Sequence, residues 1–381
     1  MITTLSALAA LVLSVLLPTF PEGLTPAIVA FLGLIALAGV GGALRARAAR
    51  AELSLLAPWV LALALGLING ALRGHESVQF AEDALPYLLF ALGLCAGRGA
   101  ARPRWLLVAV VAVAIFDGVA SIARMPSFDL PNVRSTYNYF KVIVGHLLVA
   151  VFVAAFLFEE ARRRRRAPSP WTLWLVEAIL VVSVIVTVSR GMVLSLALGV
   201  LVTFVLRRPA RGVSLALAMG LVALLFAPAL WDFGEAYLRF GTLSTVHGRM
   251  REIVHCLQVF ARNPLFGAGL GAEFIVDAHV VSYVHNMVAY HLWKFGLVGS
   301  TLLAGPLLLM ARQAMRGPVE LRAPAIGGAA CVLAYLVTCA AYKSYILVPM
   351  VGVTVGAIFE LLVRARRDDA RRLDSRARDE G

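Results

Sequence analysis

The 381-residue sequence has little charge and few cysteines. Only 15% of its residues are charged, whereas 60% are hydrophobic, and the mean hydropathy is +0.84, which excludes an ordinary soluble domain. The four cysteines follow no disulfide or zinc-site spacing. A Gly-rich phosphate loop with Lys-Ser/Thr and a His-Glu-x-x-His pattern are both absent. ATP use and zinc proteolysis are therefore unsupported.

What the sequence does have is a series of apolar runs, each long enough to cross a hydrocarbon layer of ~30 Å. Backbone in lipid must satisfy its own hydrogen bonds, and the runs lack the alternation of barrel strands, so they predict helices. We predict an all-α, polytopic membrane protein of about a dozen transmembrane helices, forming a single membrane domain over residues 1–381. The predicted spans are 3–20, 25–43, 53–72, 83–97, 105–123, 139–158, 171–188, 191–206, 213–230, 285–311, 323–342 and 346–363.

The amino terminus lacks a basic n-region and a small-residue cleavage site, so we expect the first run to be a span and not a cleaved signal peptide.

The net charge of +13 comes from arginine clusters that fall between alternate spans. The clusters lie at 45–50, 98–104, 162–166, 207–211, 312–322 and in the basic tail at 364–381. The positive-inside rule then places both termini and the tail in the cytoplasm, with the protein in a bacterial inner membrane. The charge reflects topology and predicts no nucleic-acid partner.

The longest gap, residues 231–284 between spans nine and ten, is predicted to face outward as a large periplasmic loop. A loop of this length in a compact bundle usually carries function. Residues 248–262 predict an amphipathic helix that lies on the membrane or on the bundle, with one apolar face formed by Met250, Ile253, Leu257 and Phe260. Asn263-Pro264 ends this helix, and the glycines at 267, 269 and 271 predict a flexible turn.

Polar residues from separate stretches converge on the outward side. Arg190 interrupts an apolar run, 171–206, that is too long for one span, so we place it at the outer boundary, where it avoids the cost of about 2.5–3.5 kcal/mol for a charge at mid-bilayer. Arg249 and Arg251 open the loop helix, and His285 begins span ten. Histidine is the natural general base near neutral pH. The alternatives are an interfacial or solvated arginine and a helix-capping histidine.

These residues occur in motifs that resemble the bacterial O-antigen ligases. His285-Asn286, nine further residues and Gly296-Leu297-Val298-Gly299 match the ligase signature without a gap. The upstream motifs are similar to the wider O-antigen ligase and polymerase superfamily. They are Ser189-Arg190-Gly191, Gly248-Arg249 and Asn263-Pro264-Leu265-Phe266-Gly267-x-Gly269-x-Gly271. The resemblance covers residues 187–300, and the first six spans agree only in hydropathy. Aromatic residues that often follow the Gly-Arg are replaced by Ile253, Val254 and His255.

The resemblance implies a GT-C-like, inverting, metal-independent glycosyltransferase without a cofactor. Its donor is a glycan on undecaprenyl diphosphate, and its acceptor is a hydroxyl of the lipid A-core on the periplasmic face. His285 matches the general base, and Arg190 and Arg249 match the diphosphate-binding positions, where the planar guanidinium binds phosphate oxygens bidentately. Secondary candidates are Arg251, Asn286, Glu252 and Arg134. Lys294, deep in span ten, needs a partner that the sequence does not identify.

Two alternatives remain open at this point. A polymerase would use the same fold and donor but transfer to another lipid-linked repeat unit, for lipopolysaccharide or exopolysaccharide. A transporter or flippase of lipid-linked glycan would show internal repeats and broken helices in both halves. The distinctive polar residues here are concentrated in the second half, which favours an enzyme.

Overall fold

The computed structural model describes residues 1–15, 17, 25–45, 49–124, 144–165, 168–186, 190–211, 214, 243–276, 279–338 and 340–379. In this part of the chain the longer helices are α1 (Ile2–Ser14), α2 (Pro26–Arg45), α3 (Ala49–Leu72), α4 (Ser77–Arg98), α5 (Pro103–Arg124), α6 (Val144–Arg163), α7 (Pro170–Val186), α8 (Arg190–Arg207), α9 (Leu243–Arg262), α10 (Met287–Ala314), α11 (Val319–Thr338) and α12 (Leu347–Asp379). A 3₁₀ turn, Ala340–Lys343, joins α11 to α12.

A short hairpin interrupts the helical architecture between α9 and α10. Strand β1 (Phe274–Val276) pairs antiparallel with β2 (His279–Val281), with Ile275 opposite Val280. Both of these side chains are exposed. Three-residue strands are too short to be stable alone, so the hairpin depends on the helices beside it.

The prediction of a helical, multi-pass membrane protein is confirmed. Six described helices are long and apolar enough to cross a membrane, namely Pro26–Arg45, Ser77–Arg98, Pro103–Ala120, Met287–Ala314, Val319–Val337 and Leu347–Arg371. Shorter apolar helices cover Ile2–Ser14, Leu56–Leu72, Pro170–Ile185 and Gly191–Arg207. Predicted span nine, 213–230, and the loop residues 231–242 lie almost wholly outside the described residues, so the count of about a dozen spans stays a prediction.

The predicted start of the basic tail, at 364, lies inside a longer helix. Helix α12 continues without a break to Asp379, so the basic tail is helical over most of its length. Arg163 of α6 contacts Asp369 of this helix at 2.6 Å, and Arg207 of α8 contacts Glu159 at 3.1 Å. Arginines from gaps predicted to share one membrane side therefore do lie at one end of the bundle.

Helices α4 and α12 pack through glycines spaced four residues apart on both helices. A methyl group at Gly93 would lie 2.1 Å from the carbonyl oxygen of Pro349, and one at Gly97 would lie 2.2 Å from that of Val353. On α12, Gly352 and Gly356 face α4 with similarly small clearances of 2.5 and 2.4 Å. Small residues at this spacing let helix backbones approach closely in a membrane, where no hydrophobic effect drives helices together.

We expect Gly97→Ala to destabilise the protein by about 1–3 kcal/mol, because the added methyl group overpacks a contact with backbone atoms. Gly305→Ala is the matched control, since a methyl group at Gly305 would meet nothing within 4 Å. Thermal unfolding of both variants in the same detergent measures the difference. Equal midpoints for the two variants would contradict close packing of α4 on α12.

Candidate active site

The loop helix, α9, packs one side against the protein and leaves part of its predicted apolar face exposed. Cys256 is fully buried, while Met250 is 55% exposed and Leu257 is 43% exposed. Of the predicted apolar face, Ile253 and Phe260 are half-buried, and Ile253 packs against the buried cluster that contains Cys256. Apolar residues occur on more than one side of this helix, so their spacing alone did not fix its rotation. Glu252, which is polar, lies on the partly buried side.

Glu252 turns inward because it binds His285. The backbone N–H of His285 donates to Glu252 Oε2 at 3.0 Å, and His285 Nδ1 lies 3.2 Å from the same oxygen. The two residues are 33 positions apart in the chain, yet one carboxylate holds both the ring and the backbone of the histidine. The His285 side chain remains 31% exposed, so the imidazole is oriented without being sealed off.

Several charges act on the Glu252 carboxyl. Burial raises its pKa, but hydrogen bonds from the His285 side chain and backbone and the charges of His285 and Arg249 outweigh burial. The net result is a pKa below the ordinary value of 4.5, so Glu252 is an anion at neutral pH. Burial raises the pKa of the neighbouring Cys256 to about 12, so this thiol is not a nucleophile near neutral pH.

Asn286 has a structural role at the start of α10. Its side-chain oxygen accepts a hydrogen bond from the N–H of Ala289 at 2.9 Å, and its backbone is extended, as at a helix N-cap. The asparagine therefore fixes where α10 begins. His285, the residue before the cap, lies directly before the start of the helix.

Of the predicted arginines, the structure places Arg249 beside Glu252. Arg249 is half-buried, and its charge acts on Glu252 one turn away. Arg251 lies on the exposed side of the same helix. Arg190 begins α8, but its side chain lies outside the described part of the structure, and so does all of Arg134.

The glycines predicted to form a flexible turn are tightly packed instead. We call residues 264–272 the glycine segment. Gly267, Gly269 and Gly271 all have positive φ angles, which side chains disfavour. A methyl group at Gly269 would lie 2.4 Å from the backbone nitrogen of Gly70 in α3. The N–H of Leu270 also donates to the carbonyl of Gly66 at 2.9 Å. The segment is thus bound along one end of α3.

The first glycine of the Gly-x-x-Gly pattern breaks α10. Gly296 has φ 64° and ψ −164°, a region open essentially only to glycine. The glycine segment occupies this break. It donates to the carbonyls of Trp293 and Lys294, and its own carbonyls accept from the N–H groups of Leu297 and Val298.

Lys294 is paired with an acid that the motifs did not indicate. Its ammonium group is fully buried and lies 2.6 Å from Asp83 of α4, which is itself 1% exposed. Lys343, in the 3₁₀ turn, contacts the other carboxylate oxygen at 2.6 Å. The requirement that a buried charge have a partner predicted that Lys294 is paired, but it did not identify Asp83. Asp83 and Lys343 stood at predicted span ends, where they resembled ordinary boundary residues.

No group of three or more His, Cys, Asp and Glu side chains is arranged to hold a metal ion among the residues that the structure describes. The polar chemistry around His285 consists of a carboxylate, an imidazole and a guanidinium. This set suits proton transfer and anion binding.

The helices define a multi-pass membrane protein, in which a loop helix and the start of a broken helix bring a carboxylate, an imidazole and a guanidinium together. Residues 175–304, about a third of the chain, match the family model described as O-antigen ligase. No curated protein matches the chain. The resemblance to the O-antigen ligase superfamily is confirmed, and it indicates a glycosyltransferase-like activity of the ligase or polymerase type.

The lowered pKa of Glu252 gives a testable pH dependence. The folded-state pKa lies below the ordinary 4.5, so the contact between Glu252 and His285 contributes stability above that pH and loses it as the pH falls through the lowered value. We expect the amide protection factors of residues 283–288, which divide the intrinsic exchange rate at each pH by the observed rate, to fall in acid in the wild type. Glu252→Gln should give low protection factors at every pH, whereas Glu76→Gln, at the exposed start of α4, should follow the wild type. Protection factors in Glu252→Gln that match the wild type, with the same fall in acid, would contradict this assignment.

Gly296→Ala should disrupt the joint between α10 and the glycine segment. Its backbone conformation is strained for alanine, and the methyl group would lie 2.5 Å from Gly267 N. We expect a loss of about 1–3 kcal/mol in stability, measured as a lower unfolding midpoint, and faster proteolysis within residues 264–272. Gly305→Ala, in the same helix, is the control. A Gly296→Ala protein as stable as Gly305→Ala would show that the break is not required.

Proposed function

We propose that this protein is an inverting, metal-independent glycosyltransferase of the O-antigen ligase type. It transfers a glycan from undecaprenyl diphosphate to a hydroxyl of the lipid A-core at the periplasmic face of the inner membrane. The observation that carries the proposal is the Glu252–His285 contact on the helix that also bears Arg249. All three residues fall within the segment that matches the O-antigen ligase model.

The contact with Glu252 suits His285 to act as a general base. A carboxylate that accepts the Nδ1 proton leaves the lone pair on Nε2. The Nε2 atom then takes the proton of the acceptor hydroxyl, and Glu252 stabilises the imidazolium that forms, the division of roles found in Ser-His-Asp triads. General-base assistance of this kind is worth about 10²–10⁴-fold in rate.

The proposed reaction is a single displacement. The acceptor oxygen forms a bond to the anomeric carbon, the bond from that carbon to the diphosphate oxygen breaks, and the electron pair leaves with undecaprenyl diphosphate. The hydroxyl proton goes to His285, and the anomeric centre is inverted. Arg249 and Arg190 are assigned to the diphosphate because guanidinium groups stay charged beside lipid and bind phosphate oxygens in pairs.

The proposed topology has about a dozen spans, both termini in the cytoplasm and the 231–284 loop in the periplasm. Arginines of the predicted cytoplasmic gaps meet acidic partners at one end of the bundle, which supports it. Helix α10 begins at Met287 and has Arg312 in its last turn. His285 therefore lies at the end of α10 opposite to Arg312, on the side assigned to the periplasm.

Deletion of the gene and complementation with variants test this function. We expect the deletion strain to retain long polymer on undecaprenyl diphosphate and to lack it on the lipid A-core, as seen on gels of both pools. His285→Ala and Arg249→Ala should fail to restore the ligated product, with transfer reduced by about 10²-fold or more. Glu252→Gln should reduce it less.

Matched controls come from the same loop helix and its surroundings. His255→Ala removes a histidine that stacks on Phe274 with ring centroids 4.4 Å apart, and Arg262→Ala removes an exposed arginine at the end of α9. Both variants should complement. Single repeat units on the core would identify a polymerase instead. Normal surface glycan in the deletion strain would reject both activities, and full activity of His285→Ala would reject the mechanism.

A further inference from the structure

We infer that Asp83 and Tyr342 are positioning residues for His285. Asp83 holds the chain after His285 through a buried ion cluster, and Tyr342 holds the chain before it through its hydroxyl group. The inference rests on the proposed function for His285. It adds two residues from outside the segment matched by the family model, from α4 and from the turn between α11 and α12.

The Asp83 carboxylate accepts hydrogen bonds from four donors in three parts of the chain, namely α10, the glycine segment and the 3₁₀ turn. Tyr290 Oη and Lys343 Nζ donate to Oδ1 at 2.7 and 2.6 Å. Lys294 Nζ and the backbone N–H of Gly271 donate to Oδ2 at 2.6 and 2.8 Å. A carboxylate has about four acceptor positions, so all of them are used. We call these five residues the Asp83 cluster.

The cluster holds the chain on the carboxy-terminal side of His285. Tyr290 and Lys294 lie five and nine residues after it on α10, and both are fully buried. Lys294 also donates to the carbonyl of Ala272 at 2.5 Å, at the end of the glycine segment. The first part of α10 and the glycine segment are thus attached to a single carboxylate on α4.

The 3₁₀ turn holds the chain on the amino-terminal side. Tyr342 Oη donates to the carbonyl of Val284 at 2.5 Å and accepts from the N–H of the same residue at 3.3 Å. Val284 is fully buried and directly precedes His285. Lys343 Nζ lies 3.5 Å from the carbonyl of Ser282, so the residue that binds Asp83 also contacts the segment between β2 and His285.

Stability alone does not account for such a cluster. Replacing buried ion pairs with apolar residues is often neutral or stabilising, because desolvation of the charges offsets their attraction. A buried polar network does specify one arrangement of the elements that it joins. Here those elements are α4, α10, the glycine segment and the 3₁₀ turn, and the residue between the two anchors is His285.

The test compares Tyr342→Phe with Tyr345→Phe in the full-length protein, reconstituted in lipid nanodiscs. Tyr345 follows the same turn but packs against a separate core cluster that includes Ile346 and Met350. The assay uses lipid-linked polymer as donor and lipid A-core as acceptor, and amide exchange is followed at residues 282–288. For Tyr342→Phe we expect kcat to fall by about 10-fold or more with donor KM within about twofold, since small displacements of a catalytic group cost up to ~10²-fold.

Exchange at 282–288 should accelerate in Tyr342→Phe and stay unchanged in Tyr345→Phe. Asp83→Asn should likewise lower kcat with little change in donor KM. Its faster amide exchange should extend to residues 271 and 290–294. If Asp83→Asn does not accumulate in the membrane, Tyr342→Phe decides alone. A kcat equal to wild type in Tyr342→Phe overturns the inference, and so does a loss of kcat that only follows a lower unfolding midpoint.

Failure of the inference and failure of the proposed function give different results. An active wild type with an inactive His285→Ala and a fully active Tyr342→Phe removes the positioning role alone. A wild type that transfers no glycan removes the proposed function. In that case faster exchange at 282–288 in Tyr342→Phe still supports the anchoring of residue 285, and unchanged exchange overturns it.

Discussion

The arrangement around His285 depends on the partners of the backbone hydrogen-bonding groups at the break in α10. A helix that stops at Gly296 leaves carbonyls before the break and N–H groups after it without helical partners, which is costly away from water. The glycine segment supplies both kinds of partner, with N–H groups for Trp293 and Lys294 and carbonyls for Leu297 and Val298. Backbone this close requires glycine on both sides, and Gly267 and Gly296 provide it.

This backbone contact determines where the loop helix lies. The glycine segment follows α9 directly, so fixing the segment to the middle of α10 brings the end of α9 against the same helix. Glu252, ten residues before Arg262 at the end of α9, then reaches back to the start of α10 and meets His285. The Asn-Pro-Leu-Phe-Gly and Gly-x-x-Gly motifs, distant in sequence, are two halves of one joint.

The sequence was sufficient for the helical class and for most helix positions, because apolar runs of membrane length are a strong local pattern. It also placed His285 at a helix entrance and the loop helix before it. The rotation of α9 could not be predicted, since Met250 and Leu257 are apolar yet exposed. Their side depends on the contact between Glu252 and His285, which is a tertiary interaction.

The partners of the buried charges and of the packed glycines could not be predicted either. Asp83 and Lys343 are separated by 260 residues, and neither lies in a recognisable motif. Only the fold shows that both complete the surroundings of Lys294. The paired glycines of α4 and α12 have the four-residue spacing on each helix, but glycines are frequent in membrane helices. The spacing alone therefore does not identify which two helices pair.

Placing Glu252 close to cations resolves an electrostatic conflict in the proposed chemistry. A carboxylate beside a diphosphate would repel the donor if its charge were uncompensated. Here His285 hydrogen-bonds to it and Arg249 acts on it from one turn away. When His285 accepts the hydroxyl proton, the new imidazolium lies against Glu252 while negative charge develops on the departing diphosphate. The proton transfer thus adds positive charge to the site as the leaving group gains negative charge. Glu252 stabilises that positive charge without having to move.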